Sequence, residues 1–214
     1  MIGELIPAEA SFQTVLTAIG SILFAEIENQ YILSGNDPRY TAEVYTENHN
    51  AFEQFLLNPT SSIPGVINIH IDNMNYPKDR GSVVRSQTNE VIYNIDCYGS
   101  GVAKSTVGGH TPSSVMAANN VNNLIRLVKN ILMASEYVNL GLQGLVLDRW
   151  VSSATRYQPI IDEKPCQHIL AARLSLTVTM RETTPQPVPL VLSGWDLSIN
   201  RADDGLIYAL MSSD

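Results

Sequence analysis

Apolar residues recur at helical spacing through the start of the chain. Phe12, Val15, Leu16, Ile19, Ile22, Leu23 and Ile27 return every three or four positions, predicting one apolar face of a helix over 11–33. Ser11 stands where an N-cap belongs, and Ser34-Gly35-Asn36-Asp37-Pro38 is a strong stop. Residues 42–46 read as a short strand, and 50–57 as a helical turn with Ala51, Phe52, Phe55 and Leu56 inward. After Pro64-Gly65 the period changes to two. Ile67, Ile69 and Ile71 alternate with Asn68, His70 and Asp72, so a strand over 66–74 is expected to have one buried face and one wet face. Residues 90–98 form a second strand, with Val91, Tyr93, Ile95 and Cys97 on one side. These two strands pair as a hairpin across a long polar connection, 75–89.

Residues 99–112, with four glycines, read as a loop. The longest helix is expected over 114–138, roughly 37 Å at ~1.5 Å per residue. Its inward stripe is Ala118, Val121, Leu124, Ile125, Val128, Ile131, Leu132 and Ser135; Ser113 or Ser114 caps its start, and Gly141 and Gly144 mark its end. A third strand covers 145–158. The cleanest alternation follows a proline-bounded turn (159–165) and spans 169–181. There Leu170, Ala172, Leu174, Leu176, Val178 and Met180 point inward, and Arg173, Ser175, Thr177, Thr179 and Arg181 outward. Pro185, Pro187 and Pro189 end that pattern, and 195–200 with 206–211 read as a two-stranded ribbon turned at Asp203-Asp204-Gly205. The order of elements argues for an α+β layer structure. One domain, 1–214, is expected, with a core at 42–184, an N-terminal helix at 11–33 and an extension at 185–214.

Composition narrows the function more than the fold. Of 214 residues, 13 are Lys or Arg and 21 are Asp or Glu, giving a net charge of −8. Charged residues make up 16%, against about 25% in ordinary domains. The difference is filled by 57 Asn, Ser, Thr and Gln residues. A globally basic nucleic-acid binder is excluded by sign, since phosphate affinity needs a cationic stripe. Cys97 and Cys166 alone form neither a disulfide framework nor a zinc cluster, and two reduced thiols fit maturation in a reducing cytoplasm. The early charges, Glu4 and Glu9, argue against a signal peptide. The uncharged run 10–25 is interrupted by Gln13, Thr14, Thr17 and Ser21 and falls short of the ~20 residues a membrane span needs. A soluble intracellular product is expected.

No enzymatic motif is complete. Tyr98-Gly99-Ser100-Gly101-Val102-Ala103-Lys104-Ser105 sits where a phosphate loop belongs, but Tyr98 and Ala103 occupy the positions that need glycine. A flexible Gly/Ser loop is the expected reading. His70 and Asp72 share a strand face and invite a metal site or dyad, yet nothing nearby completes one. His49, His110 and His168 stand alone, and there is no Gly-x-Ser-x-Gly elbow. Asp203-Asp204 belongs to its turn, and Trp150 and Trp195 read as core or interface anchors. Lys78, Arg80 and Arg85 are the one local basic excess and a candidate partner-contact loop. Neither a cofactor nor a metal is expected.

Several segments together resemble the tail terminator and neck proteins of long-tailed bacteriophages. The resemblance is carried by Val44-Tyr45-Thr46-Glu47-Asn48, by 65–72 and 91–101, and most strongly by 124–142 (LIRLVKNILMASEYVNLGL). Residues 146–156 and the strand 169–182 with its Pro185 complete it; 11–33 and the segment after Pro189 fit less well. The resemblance implies helices packed on one face of a mainly antiparallel sheet. It further implies a homo-hexameric ring that caps the tail tube, stops its growth and docks the head-side connector. DNA then passes through without specific binding, the protein resides in the virion after assembly in the host cytoplasm, and no catalysis is implied. The physical reading adds the sheet face carrying Asn68, Asp72, Ser175, Thr177 and Thr179 as a surface for the ring lining or a neighbour. Alternatives are another neck, connector or tail-tube subunit, an adaptor using the 75–89 loop, and a small hydrolase or nucleotide-binding enzyme.

Overall fold

The computed structural model describes residues 11–51, 53, 65–77, 86–106, 109–159, 168–183, 199–201 and 207–209. The chain divides into two compact units, Pro7–Thr184 and a second formed by Met1–Ile6 with Pro185–Asp214.

The larger unit opens with helix α1, Ser11–Leu33. Val15, Leu16, Ile19, Leu23 and Ile27 are its buried stripe, matching the helical period. Gly35 (φ 75°) and Asn36 (φ 67°) then take the left-handed conformation that ends the helix. Strand β1 is Glu43–Thr46, β2 is Gly65–Asn75 and β3 is Ser86–Gly101. A small hairpin follows, β4 (Lys104–Thr106) with β5 (Gly109–Thr111), before helix α2, Ser113–Leu132. Strands β6 (Val146–Tyr157) and β7 (His168–Thr183) complete the unit. The central sheet has the order β1-β2-β3-β7-β6, antiparallel except for the parallel β1–β2 pair. It is an α+β fold in which the helices share one face: α1 packs on β1 and β2, and α2 on β3 and β7.

The register explains that core. Ile67, Cys97 and Ala172 stand in one row across the sheet, Ile69, Ile95 and Leu174 in the next, and Ile71, Tyr93 and Leu176 beyond. All but Ile71 are fully buried. Each large side chain contributes about 1.5–3 kcal/mol by leaving water. Gly65, Gly99 and Gly101 let α2 seat directly on strand backbone. A Cβ on Gly101 would lie 2.2 Å from the Ser113 carbonyl oxygen, and one on Gly99 2.9 Å from the Val121 nitrogen.

Several expectations need correction. The glycine-rich stretch after residue 98 is not a flexible loop: Gly99 and Gly101 extend β3, and their missing side chains accommodate a helix. α2 stops at Leu132 rather than 138 and has 20 residues against 23 in α1, so it is not the longest helix. Pro112 holds its N-cap position, and neither Ser113 nor Ser114 caps it. Ala117, not Ala118, is in the buried stripe, and Ser135 is exposed. The backbone turns extended at Ala134 (φ −62°, ψ 143°), and the Arg149 side chain satisfies carbonyls at and past the last turn. The helical turn expected at 50–57 lies largely outside the described residues, although Ala51 is buried as proposed.

In the second unit, Ile199–Arg201 (β8) and Ile207–Ala209 (β9) pair antiparallel, where the ribbon was expected. Trp195 and the turn residues Asp203, Asp204 and Gly205 lie outside the described residues.

Candidate functional site

The sheet face turned away from the helices holds the densest set of paired polar side chains among the described residues. β2, β3, β7 and β6 each present alternate residues to it. One row reads Asn68, Asp96, Arg173 and Thr155; the next reads His70, Asn94, Ser175 and Ser153. The expectation that this face is simply wet is wrong. Asn68 and Thr177 are each 5% exposed, and Asp96 3%. At the Gly65 end, Val66, Tyr98, Ile169, Ala171 and Ala51 form a second, smaller hydrophobic cluster.

Polar groups buried this deeply need partners, and the face supplies them. The Asn68 amide donates to the Asn48 carbonyl at 2.8 Å and accepts from the Asn48 N–H at 3.0 Å, tying the chain after β1 to β2. Ser175 donates to Asn94 Oδ1 at 2.8 Å. Arg173 grips Asp96 with both prongs of its guanidinium, Nε to Oδ1 at 2.7 Å and Nη2 to Oδ2 at 2.9 Å. This is the planar fork geometry that suits a carboxylate. Those hydrogen bonds push the Arg173 pKa further up. Arg173 also lies over the Tyr157 ring, 5.6 Å from its centroid. Tyr157 donates to the Tyr98 hydroxyl at 3.3 Å. Burial raises the pKa of both phenols, so they stay protonated at neutral pH.

The candidates from the sequence fare differently. His70 does not join Asp72; its Nδ1 stands 3.8 Å from Asp96 Oδ2, an ion pair only when the ring is protonated. His110 Nδ1 meets Ser105 Oγ at 3.0 Å inside the exposed β4–β5 hairpin, with no carboxylate in the pair. No group of three or more His, Cys, Asp or Glu side chains that would hold a metal ion occurs among the described residues. Cys97 is a buried free thiol whose pKa burial raises. Trp150 is 37% exposed on the edge strand β6. Lys78, Arg80 and Arg85 lie outside the described residues. No described helix is long and apolar enough to cross a membrane.

Two features had escaped the sequence pattern. Asp96 was one more polar residue in an alternating strand, and only the register against Arg173 reveals the pair. Arg149 sits on the helix face of β6, opposite Val178, and is 7% exposed. Two bulges in β6, beside Asp148 and Ser153, shift which residues face inward and hide it from simple alternation.

No protein-family model matches this chain, and no curated protein is similar to it in sequence.

Proposed function

We propose that this chain is a virion structural protein of a long-tailed phage, a subunit of a ring that caps the tail tube and docks the head-side connector. The observation that carries the reading is the sheet face opposite the helices. Toward β6 and β7 it carries exposed Trp150 and half-buried Arg173 and Tyr157 beside uncharged Ser153, Thr155 and Ser175. Arg, Tyr and Trp are the side chains that dominate interface energetics, and small uncharged groups around them desolvate cheaply. A helix-backed sheet that holds its other face together with internal polar pairs is a stiff plate for building an assembly. The segments that resemble tail terminators run along this plate, through β1, β2, β3, α2, β6 and β7. Under this reading the chain needs no cofactor or metal, and its partners are other copies of itself, the tail tube and the connector.

Electron microscopy with mass measurement on the purified chain, alone and with tail tubes, tests the proposal. Closed six-subunit rings, free or on tube ends, are expected. Long tubes formed by the chain alone would favour a tail-tube subunit instead. Monomers at every concentration, with no binding to tube ends, would overturn the assembly reading.

A further inference from the structure

The charge of this chain is segregated along its length. Residues 1–77 contain nine carboxylates and a single cation, Arg39, which already accounts for the net −8. Residues 78–214 are balanced, with twelve of each sign. Among the described residues, the grooves at the two edges of the sheet, β1 and β6, differ in the charges that border them.

Each edge also carries a crevice between its strand and the outer helix. On the β1 side, Phe24 shares a groove with Thr17, Gly20, Ser21, Val44 and Thr46, and is 62% exposed. Glu28 follows one helical turn later on that side of α1 and is exposed, and Glu43 and Glu47 stand on and just after β1. Arg39, the cation of this region, is already bound to Asp37. On the β6 side, a groove of about 430 Å³ brings Ile125 and Ala154 together with Arg126, Lys129 and Arg156, and no carboxylate lines it among the described residues. None of these three cations forms an ion pair among the described residues; Arg156 instead donates to the Asn122 side chain. Arg126 also borders the crevice between α1 and α2, near Glu26 and Glu136 but paired with neither.

Building on the ring-subunit reading, we propose that these two edges are the two halves of one contact between copies of this chain. Phe24 of one subunit enters the β6-side groove of the next, against Ile125 and Ala154, and Glu28 meets Lys129 and Arg156. The patches differ in shape and in sign, so the contact is head-to-tail, and repeating it closes a ring or extends a filament. The aromatic group is the anchor, and the charges set register and orientation.

Site-specific disulfide trapping tests the contact. The full chain carrying S21C, one helical turn before Phe24 in the same groove, is mixed with the full chain carrying A154C and treated with a mild oxidant, with wild type as background for Cys97 and Cys166. A covalent heterodimer is expected for this pair, and at least tenfold less product when S105C replaces A154C. K129E should weaken self-association at least tenfold, and E28K in the same chain should restore most of it. Absence of the cross-link between the S21C and A154C chains would overturn the docking, even if microscopy of the wild type shows rings. A chain carrying both substitutions separates the two ideas. A covalent product of fixed, closed size supports both, while an open-ended ladder keeps the contact and overturns the ring.

Discussion

Arg149→Met should destabilise the protein by about 3 kcal/mol. The Arg149 guanidinium donates to three backbone carbonyls, Leu132 (2.6 Å), Ala134 (2.7 Å) and Val138 (2.6 Å). These lie in the last turn of α2 and the turns after it, where a helix has run out of its own donors. One side chain on β6 thus ties the end of α2 and the turns after it to the sheet. Burial lowers the pKa of this guanidinium, although nearby Asp148 partly opposes that. A hydrogen bond from a charged donor is worth about 1.5–3 kcal/mol net, and a buried carbonyl left unpaired costs about 1–3 kcal/mol.

The three bonds do not add in full. Ala134 and Val138 belong to half-buried and exposed residues, so water can replace the donor there. The bond to the Leu132 carbonyl is buried, and its orphaned acceptor dominates the loss. Met also avoids burying a charge, which returns part of the cost. For a chain of this size 1 kcal/mol moves the melting temperature by about 2–4 °C, so a fall of about 6–12 °C is expected. Arg149→Lys keeps the charge but cannot reach three acceptors from one fork, and should recover less than half of the loss. Thermal and urea unfolding supply the stabilities, and amide exchange over 129–140 shows whether the loss is local. A loss below about 0.5 kcal/mol for Arg149→Met, or equal stability of Arg149→Lys and wild type, would refute the account.

Gly101→Ala forces a methyl group to 2.2 Å from the Ser113 carbonyl oxygen and 2.4 Å from the Ala117 nitrogen. It should cost about 3 kcal/mol by urea unfolding, and a neutral result would mean that α2 does not seat there. Asp96→Asn and Arg173→Met should show a coupling of about 2 kcal/mol in a double-mutant cycle, because the carboxylate is buried and the fork is bidentate; additive effects would show the pair to be incidental. The Tyr137 hydroxyl donates to Glu26 Oε1 at 2.7 Å, lowering the Glu26 pKa from its ordinary 4.5 and pushing the phenol up to about 12. With the folded-state pKa depressed, the stability linked to Glu26 is present above pH 4.5 and lost as pH falls through the folded value. NMR titration of Tyr137→Phe should return the Glu26 pKa toward 4.5, and an unchanged value would show that the hydroxyl is not its main stabiliser.

Legibility in the sequence followed the number of faces each element buries. α1 buries one stripe against the sheet, and its period and stop residues located it from Ser11 to Leu33. The helix-side face of β7 is buried from Ala172 on, and Ala172, Leu174, Leu176, Val178 and Met180 were all assigned inward, although Ile169, Ala171 and Thr177 are buried on its other face. Where both faces carry burial, alternation stopped being informative. Asn68 is polar and sits in the outward register of β2, yet its amide is consumed by the Asn48 backbone, a partner twenty residues away. The end of α2 was misplaced for a related reason. Apolar residues continue at helical spacing past Leu132, but the backbone turns extended at Ala134 and the freed carbonyls find their donor in a side chain seventeen residues on. Gly99 and Gly101 read as flexibility because a missing side chain looks the same in sequence whether it frees a loop or admits a helix.

The separation of charge along the chain decides what kind of self-contact is compatible with the fold. A two-fold symmetric contact places each patch against its own copy. Built on the β6-side groove, it would set Arg126, Lys129 and Arg156 against the same three cations, with no carboxylate among the described residues of that groove to intervene. Built on the β1 side, it would oppose Glu28, Glu43 and Glu47 to themselves, with Arg39, the single cation of residues 1–77, already held by Asp37. Like charges brought together and desolvated disfavour both arrangements. Opposite edges of the sheet meeting one another pair the signs instead. The same polarity predicts a salt dependence for any self-association: raising ionic strength screens the Glu28 contacts to Lys129 and Arg156 and loosens the assembly. An apolar two-fold contact would be indifferent to salt or tightened by it. Sedimentation of the full chain across a salt series therefore separates the two geometries without any substitution, and assembly that strengthens with salt would eliminate the edge-to-edge contact.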